Sequence, residues 1–176
     1  MDTKIIGIKR ILAAQYPLIL GILSFSIPLF LSSPQIITGT LVNCFLFLAA
    51  ERLSKKEMIP FVILPSLGAI SHGILFGPQT IFLYYFLPFI WIGNYVLVRA
   101  FSLFSSLPYV IKISISAILK YLVLQSFAQV YFSLKIVPSL FVASMGYMQL
   151  MTALMGGLLA FGITKYLDHE RTKSSH

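Results

Sequence analysis

The stretch 80–101, TIFLYYFLPFIWIGNYVLVRAF, decides the fold: 22 residues carry a single charge, Arg99, close to the end. A helix rises about 1.5 Å per residue, so roughly 20 apolar residues cross the hydrocarbon of a bilayer. The stretch has that length. Gly77-Pro78-Gln79 precedes it and Ser105-Ser106-Leu107-Pro108 follows it, both sequences that stop one helix and start another.

Five further segments of the same kind fill the rest of the chain, over 11–31, 36–50, 59–76, 110–132 and 140–167, the second being short. Ser32-Ser33-Pro34-Gln35 makes a tight turn between the first two, and Val137-Pro138-Ser139 opens the last. The expected fold is all-α: an integral membrane six-helix bundle forming one domain over 1–167, with a short, frayed polar tail over 168–176. The connections are short, so neighbouring helices run antiparallel. Lys4, Lys9 and Arg10 ahead of the first segment resemble the start of a signal peptide. The apolar run that follows is too long for one and no small-residue cleavage site succeeds it, so it reads as an uncleaved first span.

Composition points the same way. The chain of 176 residues is 58% hydrophobic and 10% charged, too little charge to cover a soluble domain of this size. The net charge of +8 comes from basic residues placed singly or in small groups between apolar runs. That spacing suits an anionic membrane surface and not nucleic acid, which calls for a clustered basic patch. Alternate loops divide these residues unevenly. Lys4, Lys9, Arg10, Arg52, Lys55, Lys56, Arg99, Lys112, Lys165, Arg171 and Lys173 fall on one side, and Lys135 alone on the other. By the positive-inside rule both termini are cytoplasmic in the cell membrane, and the turns near Pro34, Pro78 and Lys135 face outward.

The chain has no GxxxxGK[ST] loop, HExxH or GxSxG motif, and no aspartate inside a span. One cysteine, Cys44, excludes an intrachain disulfide and a cysteine-ligated cluster. It reads as a small buried apolar side chain. The expectation is a protein without catalytic residues, cofactor or resident metal. His72 reads as hydrogen-bonded structure, and His169 and His176 as solvated. Small residues mark close helix approaches: Gly73 with Gly77, Ala153 with Gly157, and Gly156 with Ala160.

Polar groups inside the spans are few and gather at one depth. Lys120 lies about ten residues into the fifth span, near mid-bilayer, where a lysine costs about 2.5–3.5 kcal/mol on insertion scales. It either snorkels toward the cytoplasm or serves a ligand or partner. Asn43, Asn94 and Gln149 sit in the same layer, with Trp91 beside Asn94. Each amide suffices to tie two helices together; jointly they suggest a polar pocket open to the outside. Gln125 and Gln129 lie off the helix face of Lys120.

Several landmarks in this layer carry a resemblance. They are Gln35-Ile36-Ile37-Thr38-Gly39-Thr40-Leu41-Val42-Asn43, Leu64-Pro65-Ser66-Leu67-Gly68-Ala69, Pro88-Phe89-Ile90-Trp91-Ile92-Gly93-Asn94, Leu119-Lys120 and Met148-Gln149-Leu150-Met151-Thr152-Ala153-Leu154. Together they resemble small prokaryotic membrane proteins similar to the substrate-binding S components of energy-coupling factor (ECF) transporters. That resemblance implies a six-helix protein that captures a vitamin-like molecule or a metal from outside. It also implies a transmembrane coupling protein and two ATPase subunits as partners. The first span carries Ala13-Ala14 and Gly21 where such proteins often show an AxxxA docking face. The resulting expectation is a substrate-binding subunit whose ligand site comprises Lys120, Asn94, Gln149, Asn43 and Trp91. Lys120 would favour an anionic or carbonyl-bearing ligand, with Trp91 for stacking. The alternative is a structural or assembly membrane protein, such as an envelope or cell-shape scaffold. A small membrane enzyme is disfavoured by the missing acid–base residues.

Overall fold

The computed structural model describes residues 2–31, 33–76 and 81–173, the side chains of 2–14, 74–76, 81 and 171 excepted. The Gly77-Pro78-Gln79 turn, the Gly77 end of the Gly73 pair, Ser32, residues 174–176 and the side chains of Lys4, Lys9, Arg10, Ala13 and Ala14 lie outside the described residues.

The described residues form helices joined by short turns: α1 (Asp2–Phe30), α2 (Gln35–Arg52), α3 (Ile59–Phe76), α4 (Ile81–Leu103), α5 (Tyr109–Ser133), α6 (Ser139–Met145) and α7 (Tyr147–Lys173). The stops fall where the turn residues stand. Pro108 caps the start of α5 and Pro138 that of α6, each in extended backbone that a helix cannot continue. The sixth apolar segment is two helices and not one, broken at Gly146. The expected polar tail is also helical as far as Lys173, and Thr172 Oγ1 bonds back to Asp168 O at 3.0 Å.

Among the described residues, three helical stretches are long and apolar enough to cross a membrane: Phe82–Leu103, Tyr109–Ser133 and the joined Ser139–Glu170. Gln15–Phe30 and Ile59–Gly73 are shorter apolar helices. In α2, Gln35, Asn43, Glu51 and Arg52 lower the apolar content.

The helices form a ring in the order α1, α3, α4, α5, α7, α2, and α2 also reaches across to α4. Neighbours in space are thus not always neighbours in sequence: α3 packs mainly on α1, and α2 mainly on α7. Small residues allow these approaches. A Cβ on Gly68 would strike the backbone oxygen of Phe25, and one on Gly156 would come within 2.6 Å of Thr40 O and 2.7 Å of Cys44 N. Ala153 and Ala160 are fully buried on the same α7 face. The distribution of side chains is inverted relative to a water-soluble bundle. Ser24, Asn43, Ser66, Asn94, Ser116, Lys120 and Thr152 are buried, whereas Leu18, Ile22, Ile118, Leu122, Val130, Met151 and Leu158 are exposed. An apolar belt around a polar-seeded interior is compatible with insertion in lipid.

One end of the bundle is basic and is tied by polar and aromatic contacts. Thr164 Oγ1 donates to Glu51 Oε2 at 2.6 Å, linking α7 to α2. The Lys112 ammonium lies 4.2 Å from the Phe101 ring centroid and 4.5 Å from that of Tyr109, and the Arg52 guanidinium lies 5.3 Å from that of Tyr16. The opposite end carries the α1–α2 turn and the loop before α6. Beneath it an aromatic cluster of Phe86, Phe89, Phe127, Tyr131 and Phe141 joins α4, α5 and α6.

Candidate ligand cavity

A cavity of about 700 Å³ occupies the half of the bundle toward the α1–α2 turn. The first half of α2, the second half of α3, the first half of α4, mid-α5 and the α6–α7 break all contribute to its wall. Pockets that hold small ligands fall at about 300–1,000 Å³.

Four of the five residues singled out from the sequence line this one space: Asn43, Asn94, Lys120 and Gln149. Trp91 does not. Its indole Nε1 donates to Ser66 Oγ at 2.8 Å and its ring is half-buried against the larger apolar core. Trp91 therefore braces Ser66, which lines the cavity, and offers no stacking face to it.

Lys120 does not snorkel. It is 2% exposed, and its Nζ donates to Asn43 Oδ1 at 2.7 Å. The α5 face around it is small enough to admit this: Ser116 and Ala117, one turn earlier, are fully buried. An ammonium can only donate, so the Asn43 oxygen must face it. Asn43 Nδ2 then points away, to Gly39 O at 2.8 Å and Thr152 Oγ1 at 3.2 Å. Thr152 Oγ1 passes its own proton to Gln149 O at 3.3 Å. A chain of hydrogen bonds thus runs from α5 through α2 to α7.

Asn94 hangs on a different device. Pro65 lacks an N–H for the carbonyl one turn back and its ring presses on that turn. The two carbonyls that follow are met by side chains: Val62 O by Asn94 Nδ2 at 3.0 Å and Ile63 O by Ser66 Oγ at 2.8 Å. Pro65 itself lines the cavity. His72 also lines it, with Nδ1 2.8 Å from Leu29 O. A carbonyl only accepts, so Nδ1 carries the proton. Gln125 packs against Gly146, and Gln129 is exposed.

Thr152 and the break at Gly146 were not singled out as parts of a site. The break frees backbone groups of α6, and Gln35 Nε2 meets one of them by donating to Ser144 O at 3.0 Å. A Cβ on Gly146 would come within 2.8 Å of the Val142 backbone oxygen and would push the Gln125 side chain aside, so glycine suits the close approach of α5 to the break. Gly146, one of four glycines in the segment, was a weak signal, and Thr152, one turn from Gln149 along the same helix, was another. Broken helices inside a membrane are tolerated where they are buried or line a cavity, and they commonly build ligand sites there.

Lys120 is the one formally charged residue among the described residues of the wall. Among the described residues no group of three or more His, Cys, Asp and Glu is placed to hold a metal ion. Comparison with protein-family models, curated proteins and solved structures yields no match for this chain.

Proposed function

We propose that the protein is a substrate-binding membrane subunit of an ECF-type uptake system, with six spans and cytoplasmic ends, that captures a small molecule from outside. One observation carries the reading: a cavity of ligand size whose wall presents a buried lysine, Lys120, held by Asn43 and facing no carboxylate among the described residues. Burying an ammonium without a counter-charge is costly. A bound ligand supplies the missing partner. The chain holds no nucleotide-binding loop, so a coupling protein and ATPase subunits would provide the energy. The eleven-to-one division of Lys and Arg between alternate loops supports the orientation, and with it a cavity in the outward half.

The test is purification of the tagged protein in mild detergent, followed by mass spectrometry of retained small molecules and of co-purifying proteins. A retained molecule in stoichiometric amount, lost in Lys120→Met, together with ATPase subunits, is the expected result. Envelope components with no small molecule would favour the scaffold reading and end this one.

A further inference from the structure

The polar atoms around the cavity divide into those already committed within the protein and those left for a ligand. Asn43 is fully committed: its oxygen accepts from Lys120 and both of its amide protons are donated, to Gly39 O and Thr152 Oγ1. The Ser66 proton goes to Ile63 O and that of Thr38 to Leu31 O. Lys120 donates once and keeps two N–H groups. Asn94 donates to Val62 O, and its Oδ1 has no donor among the described residues. The Gln149 side chain, which can either donate or accept, has no hydrogen bond within the described protein.

Resting on the capture reading above, we propose that the ligand is a small organic monoanion that also carries an N–H or O–H donor, and that it is not a metal cation. The anion meets the two remaining protons of Lys120, and the donor meets Asn94 Oδ1. Gln149 serves either group, and the apolar body lies along Leu83, Ile90 and Phe141. Asn43 and Trp91 are positioning residues: one aims Lys120 and the other braces Ser66. A cation would face the ammonium with no carboxylate on the described wall to offset it.

The test uses the full chain in detergent at neutral pH with three fluorescent probes of nearly one shape. Dansylglycine has a carboxylate and a sulfonamide N–H, dansylglycinamide has no charge, and dansylsarcosine has no N–H. Dansylglycine binds saturably with enhanced emission. The neutral amide binds about tenfold or more weakly, the size of one charge-assisted hydrogen bond, and dansylsarcosine also binds more weakly. Lys120→Met removes the preference for acid over amide; should that variant not fold, the three probes on the unaltered protein decide by themselves. Equal binding of acid and amide, or displacement of dansylglycine by Co²⁺ or Zn²⁺, overturns the assignment and leaves capture standing. Equal binding of dansylglycine and dansylsarcosine overturns the donor half. Saturable binding of none overturns the assignment too, and the molecules retained on purification then judge capture separately.

Discussion

Lys120 and Asn43 hold each other in place, and the two sides of that bond differ in what their loss leaves behind. Lys120→Met removes a buried charge and leaves a neutral amide oxygen without its donor. Asn43→Ala leaves the ammonium buried with no partner, strips Thr152 Oγ1 of its donor, and leaves Gly39 O with its helical N–H alone. A hydrogen bond to a charged group is worth about 1.5–3 kcal/mol, and an uncompensated buried charge costs more than a neutral orphan. Asn43→Ala is therefore expected to lower stability in mixed micelles well beyond Lys120→Met. In the Lys120→Met background the same Asn43→Ala change is expected to cost about 1.5–3 kcal/mol less. A double-mutant cycle of unfolding measures this, and additivity would mean that the 2.7 Å bond contributes nothing. Residue identity and depth sufficed to group Lys120, Asn43, Asn94 and Gln149, because a polar side chain in an apolar helix has few places to go. They did not suffice for Trp91, whose neighbour Asn94 lines the cavity while its own ring turns into the core. Successive helix positions differ by about 100°, so Trp91 and Asn94, three residues apart on α4, stand about 60° apart, enough to put one in the core and the other in the cavity wall.

Helix ends and close approaches govern the elements. Gly156 and Gly162 stand less than two turns apart in α7 and present opposite cases. A Cβ at Gly156 meets Thr40 O, Cys44 N and Asn43 Cβ at 2.6–2.8 Å, two of them backbone atoms that cannot rotate away. At Gly162 nothing lies within 4 Å. Gly156→Ala is expected to destabilise by about 1–3 kcal/mol through overpacking of α2 on α7. Gly162→Ala is expected to stabilise by about 0.5–1 kcal/mol through lower backbone entropy. Thermal midpoints in one detergent compare them, and a loss at both positions would show that α7 tolerates no added volume anywhere. The end of α5 offers a third case. Lys135 sits at φ 57°, donating to Phe132 O, and Ile136 N reaches back to Tyr131 O at 2.9 Å. That is the Schellman arrangement, in which glycine is the usual residue at the left-handed position. Lys135→Gly is expected to raise the midpoint by an amount worth about 1 kcal/mol; an unchanged or lower midpoint would count against strain there. Prolines and serines marked the starts of α5 and α6 legibly. The break at Gly146 was hidden, because it is one of four glycines in its segment and only the close contacts with Val142 O and the Gln125 side chain set it apart.

For the molecule as a whole, the basic end and the cavity end are opposite ends of one ring of helices. The side on which each lies determines what the cavity can sample. The charge pattern alone puts Arg52, Lys55, Lys56, Lys112 and Lys165 together, and the structure sets Arg52, Lys112 and Lys165 among the Glu51–Thr164 and aromatic contacts that bind that end. Charge asymmetry was legible because insertion acts on loop composition directly. The ring order was not, since α3 chooses α1 over α2 through the Gly68–Phe25 approach, a contact between segments far apart in sequence. Site-directed labelling settles the arrangement. Cys44 is buried and apolar in its setting, so Cys44→Ala gives a background without a native thiol. Single cysteines are then introduced by Asp2→Cys, Lys55→Cys, Ser105→Cys and Thr172→Cys at the basic end, and by Ser33→Cys and Lys135→Cys at the other. A membrane-impermeant maleimide applied to intact cells is expected to label only Ser33→Cys and Lys135→Cys, and the other four only after permeabilisation. Labelling of Asp2→Cys and Thr172→Cys on opposite sides would require an odd number of spans and would end the six-span arrangement. Labelling of the basic end alone from outside would invert it, turning the cavity and its lysine toward the cytoplasm and ruling out capture from the exterior.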